Sequence, residues 1–413
     1  MLPRALAHLT AGLPRAYFVL WAGMLINSLG GFLMTFLAIY LREQRGFSIE
    51  EAGLVLGLFG LGHTASGPIG GALADLVGRR KTLILGCLLA AITMLVLGAA
   101  RVRWQLWTVT GLLGLVSGLW RPAANAAVAD LVPPESRTRA FALMYWAINL
   151  GFAGAAILAG ILAKFSMWLL FIGDASSTLL LAVVVFFFVP ETRPTQTAHK
   201  QPRPSLFLPY QDRSFLAFLA TQLLVVWMFL QHVSTLPLDM RAHGISMQGF
   251  GRLLAINGVL IVLLQPLTIR LVMRVRRSRM LAIGALLVGL GFCLPGLSPT
   301  LPVYALSIVV WTLGELAFSP LVPTVVADLA PPELRGSYQG GLQLVWGMAS
   351  LLGPSLGSLV MGRLGARVLW LGCLALGILA GALHLRLGPT RRLRLLSLPD
   401  GDAAARREDG LAN

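Results

Sequence analysis

Twelve apolar runs, each about the length that crosses the hydrocarbon of a bilayer, succeed one another along this chain with only short polar stretches between them. They fall near 16–40, 50–76, 82–100, 104–131, 139–163 and 168–189, and then near 214–238, 248–273, 280–298, 301–329, 336–362 and 368–387. Inside hydrocarbon every backbone N–H and C=O must find its partner within the structure, so single runs of this length specify helices. Hydrophobic residues make up 56% of the chain and charged residues 12%, a balance that no water-soluble domain of this size carries. The expected solvent is lipid, and the expected fold is an all-α membrane protein of twelve transmembrane helices.

The charges that remain are placed, not scattered. A formal net charge of +16 would suit a nucleic-acid binder, but the cations sit in short clusters between apolar runs, with no continuous stripe and no interleaved aromatic platform. No nucleic-acid partner is expected. With the N-terminus in the cytoplasm, 22 of the 33 Lys and Arg fall on the cytoplasmic side, including Arg4, Arg15, Arg79, Arg80, Lys81, Arg137, Arg139, Arg274 to Arg279, Arg335 and the C-terminal tail. Eight fall opposite, and Arg121, Arg252 and Arg270 lie within spans. This asymmetry puts both termini inside. The first apolar run outlasts a signal-peptide core and has no small-residue cleavage site, so it reads as a membrane helix. Cys87, Cys293 and Cys373 all lie in apolar segments without disulfide or metal spacing. No metal and no cofactor are expected.

The chain repeats itself at an offset of 198 residues. Ala129-Asp130-Leu131 falls on Ala327-Asp328-Leu329, Pro133-Pro134-Glu135 on Pro331-Pro332-Glu333, and Arg137 on Arg335. Gly46, Ser48, Gly60, Pro68 and Gly86 meet Gly244, Ser246, Gly258, Pro266 and Gly284. A duplicated six-helix unit of constant orientation predicts two pseudo-symmetric bundles side by side, with a cleft between them at mid-membrane. The expected division is a bundle over 1–189, a proline-rich linker over 190–213, a second bundle over 214–390 and a tail over 391–413.

At the end of the second run stand Gly71 and Asp75, followed before the third by Gly78, Arg79, Arg80 and Lys81. With this loop the chain resembles the major facilitator superfamily, whose cytoplasmic signature between helices 2 and 3 has this form. Thr312 to Glu315, Pro320, Ala327-Asp328 and Gly336-Ser337-Tyr338, with Tyr145, Trp146, Asn149 and Leu150, are similar to helices 10, 11 and 5 of the bacterial drug/proton antiporters within it. The resemblance implies alternating access, Glu315 as a proton- and cargo-binding carboxylate, and Asp75 as a conformational gate. There are departures too. The helix-4 arginine usual in that group falls here on Gly114, and the acids often found in helices 1 and 5 are replaced near Asn27 and Met144.

Read from their own chemistry, the same residues stand out. Glu315 lies in the middle third of the tenth run, where an isolated carboxylate is expensive unless it meets a wet cavity or takes a proton; the alternative is a neutral acid bonded between helices. Asp75 ends the second run level with Gly336-Ser337, where unpaired N–H groups at a helix start favour a carboxylate. Its repeat equivalent, Met273, has lost the acid. Arg121, just before Pro122, needs an anionic or carbonyl partner: Glu315, Asp130, an anionic substrate or a carbonyl freed at the proline kink. Asp130 and Asp328, each followed by Pro-Pro-Glu-x-Arg, are expected to stop one helix and start the next, and Asp174 is expected to be structural. Asn27, His63, Tyr145, Asn149, Gln222, Gln231, His232 and Asn257 are the polar candidates for the cleft lining.

No nucleotide loop, dinucleotide fingerprint or zinc-spaced histidine pair is present, so the chain is expected not to be an enzyme. The expected function is secondary active transport by alternating access, a proton-coupled efflux of hydrophobic or amphipathic small molecules, cations included. The partners are a small-molecule substrate, the proton as coupling ion and the lipid bilayer, for a monomer in the bacterial inner membrane. Two alternatives stay open: a uniporter or importer of a small anionic metabolite, and a non-transporting membrane sensor or lipid-handling protein.

Overall fold

The computed structural model describes residues 10–31, 37, 40–47, 49–194, 207–245 and 247–396, and among them there is helix and no strand. In chain order the helices are α1 (Arg15–Leu29), α2 (Ile49–Leu76), α3 (Arg79–Ala99), α4 (Arg103–Gly118 and Trp120–Leu131), α5 (Arg137–Phe165) and α6 (Trp168–Phe188). After them come α7 (Arg213–Phe229 and Thr235–Ala242), α8 (Met247–Arg274), α9 (Arg277–Leu297), α10 (Leu301–Phe318 and Leu321–Leu329), α11 (Arg335–Leu364) and α12 (Ala366–Arg386). A short α13 (Gly388–Leu396) closes the described chain. Among the described residues, eight of these spans are long and apolar enough by themselves to cross a membrane, and α1, α2, α4 and α5 pack among them to complete two sets of six. The expected linker residues 195–206 and tail residues 397–413 lie outside the described residues, as do Arg4, Ser48 and Ser246.

The duplication is visible in the packing. In the first six helices α1 lies on α5, α2 on α4 and α3 on α6; in the second six, α7 lies on α11, α8 on α10 and α9 on α12. Gly46 and Gly244, equivalent in the repeat, both have positive φ, +65° and +80°, in the turns that lead to α2 and α8. That conformation is cheap only for glycine. Each half has its own apolar core, one around Trp120, Phe141 and Val128, the other around Trp311, Phe292 and Trp370. The outward faces are apolar as well: Leu263, Leu267 and Leu271 form a stripe on α8 that is 62%, 65% and 59% exposed, which suits lipid and not water.

Two seams join the halves, α2 along α11 and α5 along α8. The first is a glycine seam. A Cβ on Gly340 would overlap the Gly67 carbonyl oxygen, and one on Gly71 the Gly336 carbonyl oxygen, so the backbones approach as only glycine allows. The seams and the charged turns beside them lie at one end of the bundle, called here the basic face because Arg79, Arg80, Lys81, Arg137, Arg277 and Arg335 begin helices there.

Four expected spans are corrected by breaks. In the run drawn at 16–40 the first helix ends at Leu29, with Gly30 placed where a side chain would overlap Ser177 Oγ on α6, and a π-helical turn stands at Tyr40–Gln44. Spans 104–131 and 301–329 each divide into two segments, at Leu119 and at Ser319–Pro320. The reason is shared: Pro122 and Pro320 occupy the same repeat position, and neither can donate to the carbonyl four residues back. The run drawn at 214–238 also breaks, at 230–234, and continues to Ala242.

The glycine seam makes a direct prediction. Gly340→Val should lower the melting temperature of the purified protein by several degrees, as overpacking of about 1–3 kcal/mol would, whereas Gly258→Val, whose added Cβ meets nothing within 4 Å, should leave it unchanged. Equal melting of the two variants would mean that α2 and α11 are not held at glycine distance.

Candidate functional site

The basic face is closed by carboxylates. Asp75, near the end of α2 and 1% exposed, accepts from Gly336 N at 2.9 Å and Ser337 N at 2.7 Å in the first turn of α11. Arg79 Nη2 lies 3.3 Å from Asp75 Oδ1. The same guanidinium donates to the Ala74 and Pro332 carbonyls and, through Nε, to Asp130 Oδ2 at 3.1 Å. Of the other residues in this loop, Gly78 has φ +121° and packs where a side chain would meet the Glu191 carboxylate. Glu191 in turn accepts from Arg79 N at 2.8 Å. Arg80 bonds the Phe186 carbonyl and stacks on its ring, and Lys81 is exposed. Only Arg79 of the three cations reaches the inter-helix contact.

Asp130 and Asp328 stand at helix ends, where the sequence placed them, and in addition join the two halves. Asp130 is held by Arg79 of its own half and by Arg335 Nη1 of the other at 2.6 Å. Asp328 is held by Arg277 of its own half and by Arg137 Nη1 of the other at 2.6 Å. The four arginines and two aspartates map onto one another by the 198-residue offset. Each acid therefore spans the two halves, and all six side chains are largely buried.

Above this closure lies a cavity of about 510 Å³ between the halves. Glu315, on α10 and 6% exposed, lines it. Its Oε1 accepts from the Tyr145 hydroxyl on α5, and its Oε2 from Asn257 Nδ2 on α8 at 2.8 Å. Asn257 also reaches Thr312 Oγ1 at 3.0 Å, and Asn149 Nδ2 donates to the Tyr145 carbonyl. The Tyr145–Glu315 bond crosses from one half to the other. His63, whose Nε2 is 2.7 Å from Gln343 Nε2, lines the same cavity with Gln222 and His232. Apolar lining comes from Met24, Phe141, Phe152, Phe229, Phe318 and Trp346.

Arg121 lines the cavity too, yet none of the protein partners expected for it is there. Its guanidinium lies 5.4 Å from the Trp120 ring centroid, and among the described residues it has no hydrogen bond or ion pair. Asp130 is taken by Arg79 and Arg335, Glu315 by Tyr145 and Asn257. Two further expectations fail. Asn27 donates to Thr178 Oγ1 between α1 and α6, outside the cavity lining. Gln231 is fully buried, bonding the Trp227 and Gly353 carbonyls and the Thr235 hydroxyl at the α7 break. Asp174, expected to be structural, is buried and outside the lining.

Sequence reading missed the α11 wall. Gln339, Gln343, Trp346 and Ser350 all line the cavity, and their spacing of four, three and four marks one helix face. It also missed Asp239, buried against the Tyr304 hydroxyl at 2.8 Å and Trp370 Nε1 at 2.9 Å, because it falls just past the expected end of the seventh span.

A cavity between two helical halves, carrying an acid and closed at one end, suits a membrane transporter. The sequence pattern of the Major Facilitator Superfamily matches residues 20–238 and 214–407, and the chain belongs to that family. It is 30% identical over 375 residues to the uncharacterized MFS-type transporter YttB of Bacillus subtilis (strain 168), covering 88% of this chain and 93% of that one. It is 28% identical over 340 residues to the multidrug resistance protein MdtH of Enterobacter sp. (strain 638), covering 82% and 84%. Among solved structures, the human organic anion transporter MFSD10 superposes with a TM-score of 0.76 at 20% identity, covering 90% of this chain and 100% of that one.

Removing Asp328 would leave Arg137 and Arg277 buried without their acid. Asp328→Asn should therefore destabilise the folded protein by about 3–5 kcal/mol, read as a lowered melting temperature; a variant as stable as wild type would mean that the grip contributes nothing.

Proposed function

We propose that this transporter is a proton-coupled exporter of hydrophobic or amphipathic small molecules, lipophilic cations among them, working by alternating access. It acts as a monomer in a bacterial cell membrane, with both ends of the chain and the basic face in the cytoplasm. The observation that carries this reading is Glu315: an acid in the cavity wall, bonded across the halves by Tyr145 and within its own half by Asn257. Ionised, Glu315 accepts both bonds and balances a cationic cargo. Protonated, it loses the charge that holds the cargo, and it loses acceptor strength towards Tyr145. Proton and cargo are then alternatives at one carboxylate, and the exchange is felt at a bond between the moving halves.

The latch supports the second part of the cycle. Two hydrogen bonds to the ionised Asp75 contribute about 1.5–3 kcal/mol each, and a complete switch between two states takes about 5.5 kcal/mol. Asp75 alone is thus of the size that biases the cytoplasmically closed state. The cation asymmetry of the loops supports the orientation, and the name of the MdtH relative supports multidrug export.

A second reading is favoured by Arg121, a cavity cation without a protein acid. An acid-headed cargo bound there would be helped by protonation of Glu315, so it would move with the proton and not against it.

Proteoliposomes separate these readings. Ethidium serves as the lipophilic cation and 2-naphthaleneacetate as the acid-headed probe. For export by exchange, ethidium movement should follow an imposed pH gradient, release protons as ethidium binds, and strengthen as pH rises and Glu315 ionises. Glu315→Gln should abolish gradient-driven movement and flatten the pH profile while ethidium–ethidium counterflow persists. Asp75→Asn should keep coupling but open the cytoplasmic end, seen as faster labelling of a cysteine introduced there. Full proton-driven transport by Glu315→Gln would end the proposal, and naphthaleneacetate carried together with protons would replace it by the second reading.

A further inference from the structure

Away from the cavity, on the face opposite the latch, a recess of about 390 Å³ opens between the Tyr40–Gln44 turn, the end of α3 and the start of α6. We propose that it is a binding site for a phosphate group, supplied either by an anionic lipid headgroup or by free phosphate. This rests on the recess alone and not on the transport cycle.

Two guanidiniums line it, those of Arg45 and Arg101. Arg45 is set in place by neutral partners only: Nε donates to the Tyr40 hydroxyl at 2.8 Å, Nη2 to the Gly98 carbonyl at 3.3 Å, and its carbon lies 5.1 Å from the Tyr40 ring centroid. Tyr40 is itself 3% exposed, donates to the same Gly98 carbonyl and packs edge-on against Phe171. These contacts orient the guanidinium and, among the described residues, bring no acid to its charge. Arg101 has its side chain exposed at the rim, and no acidic residue stands among the described residues of the lining. Glu51, on the same face, is engaged by Arg103 at 2.5 Å.

The rest of the recess fits the same ligand. The Ser166 hydroxyl accepts from Trp168 N at 3.2 Å and keeps its proton to donate. Trp168 forms a wall because Gly98 has no side chain; a Cβ there would overlap the indole ring. Trp104, Phe165 and Trp168, 64%, 78% and 40% exposed, ring this face where α4 and α6 begin and α5 ends. Aromatic residues in that position mark the level of lipid headgroups. A planar pair of guanidiniums at that level is suited to phosphate oxygens, which they bond two at a time. Basic pockets between membrane helices on the cytoplasmic side hold anionic headgroups through the same donors, and here those donors stand at the opposite face.

The test uses the full chain, purified and stripped of lipid, with native mass spectrometry to read binding. Palmitoyl-oleoyl phosphatidylglycerol is the probe and the corresponding diacylglycerol, lacking phosphate, is the control. Wild type should bind the phosphatidylglycerol at least tenfold more tightly than the diacylglycerol. Arg101→Gln should weaken that preference severalfold and Arg45→Gln/Arg101→Gln should remove it, while Arg103→Gln, whose cation is already paired, keeps it. Because Arg101 is exposed, its single variant remains readable even if the change at Arg45 disturbs folding. Displacement of the lipid by inorganic phosphate would assign the site to the free anion, and resistance to displacement would assign it to the headgroup; either outcome upholds it. No preference for phosphatidylglycerol in wild type, or a double variant that binds like Arg103→Gln, overturns it.

Discussion

Taking a charge out of water is tolerable only where an opposite charge waits for it, and at the basic face this requirement is met by sharing. Asp130 and Asp328 each satisfy one arginine from their own half and one from the other. Moving the halves apart at this end would strand several buried charges together, so the two bundles either stay joined there or part in a concerted way. The glycine seam between α2 and α11 adds close backbone contact to the same arrangement. Asp75 adds a carboxylate on a helix start, a contact that needs no partner side chain.

The cavity above that closure obeys the same rule with fewer partners. Glu315 has two donors, both neutral, one from each half, and so keeps the freedom to change protonation that a tight arginine partner would remove. Arg121 has the opposite problem, a fixed charge with an aromatic neighbour and no acid. A chamber holding one titratable and one permanent charge would change its net charge on taking up a proton, and the proposed exchange rests on that change.

Much of this was legible before any coordinates. The apolar runs gave the number of helices because lipid demands internally bonded segments, and the 198-residue offset gave the two-fold plan, to which the structure adds the shared positive φ of Gly46 and Gly244. Glu315 and Asp75 stood out since carboxylates are rare in membrane helices. Three-body arrangements stayed hidden. Nothing in the spacing of Asp130 tells that Arg335, far along the chain, completes its pair, and polar residues such as Asn27 and Gln231 look alike whether they face a cavity or bond a neighbouring helix. The broken first span escaped because apolarity is blind to Gly30 being pressed against Ser177. The α11 wall was readable in principle, from the period of Gln339, Gln343 and Trp346.

The repeat is faithful at both shared aspartates and unfaithful at one place, where Asp75 has Met273 as its counterpart. The α2–α11 seam consequently has a carboxylate on a helix start beside its shared aspartate, while along the other seam Trp146 Nε1 bonds the Val262 carbonyl at 2.8 Å, Asp328 holds Arg137 and Arg277, and no carboxylate stands at the corresponding helix end. A symmetric blueprint has produced a lopsided closure: each side has a shared aspartate, and the α2–α11 side adds to it a carboxylate seated on a helix start.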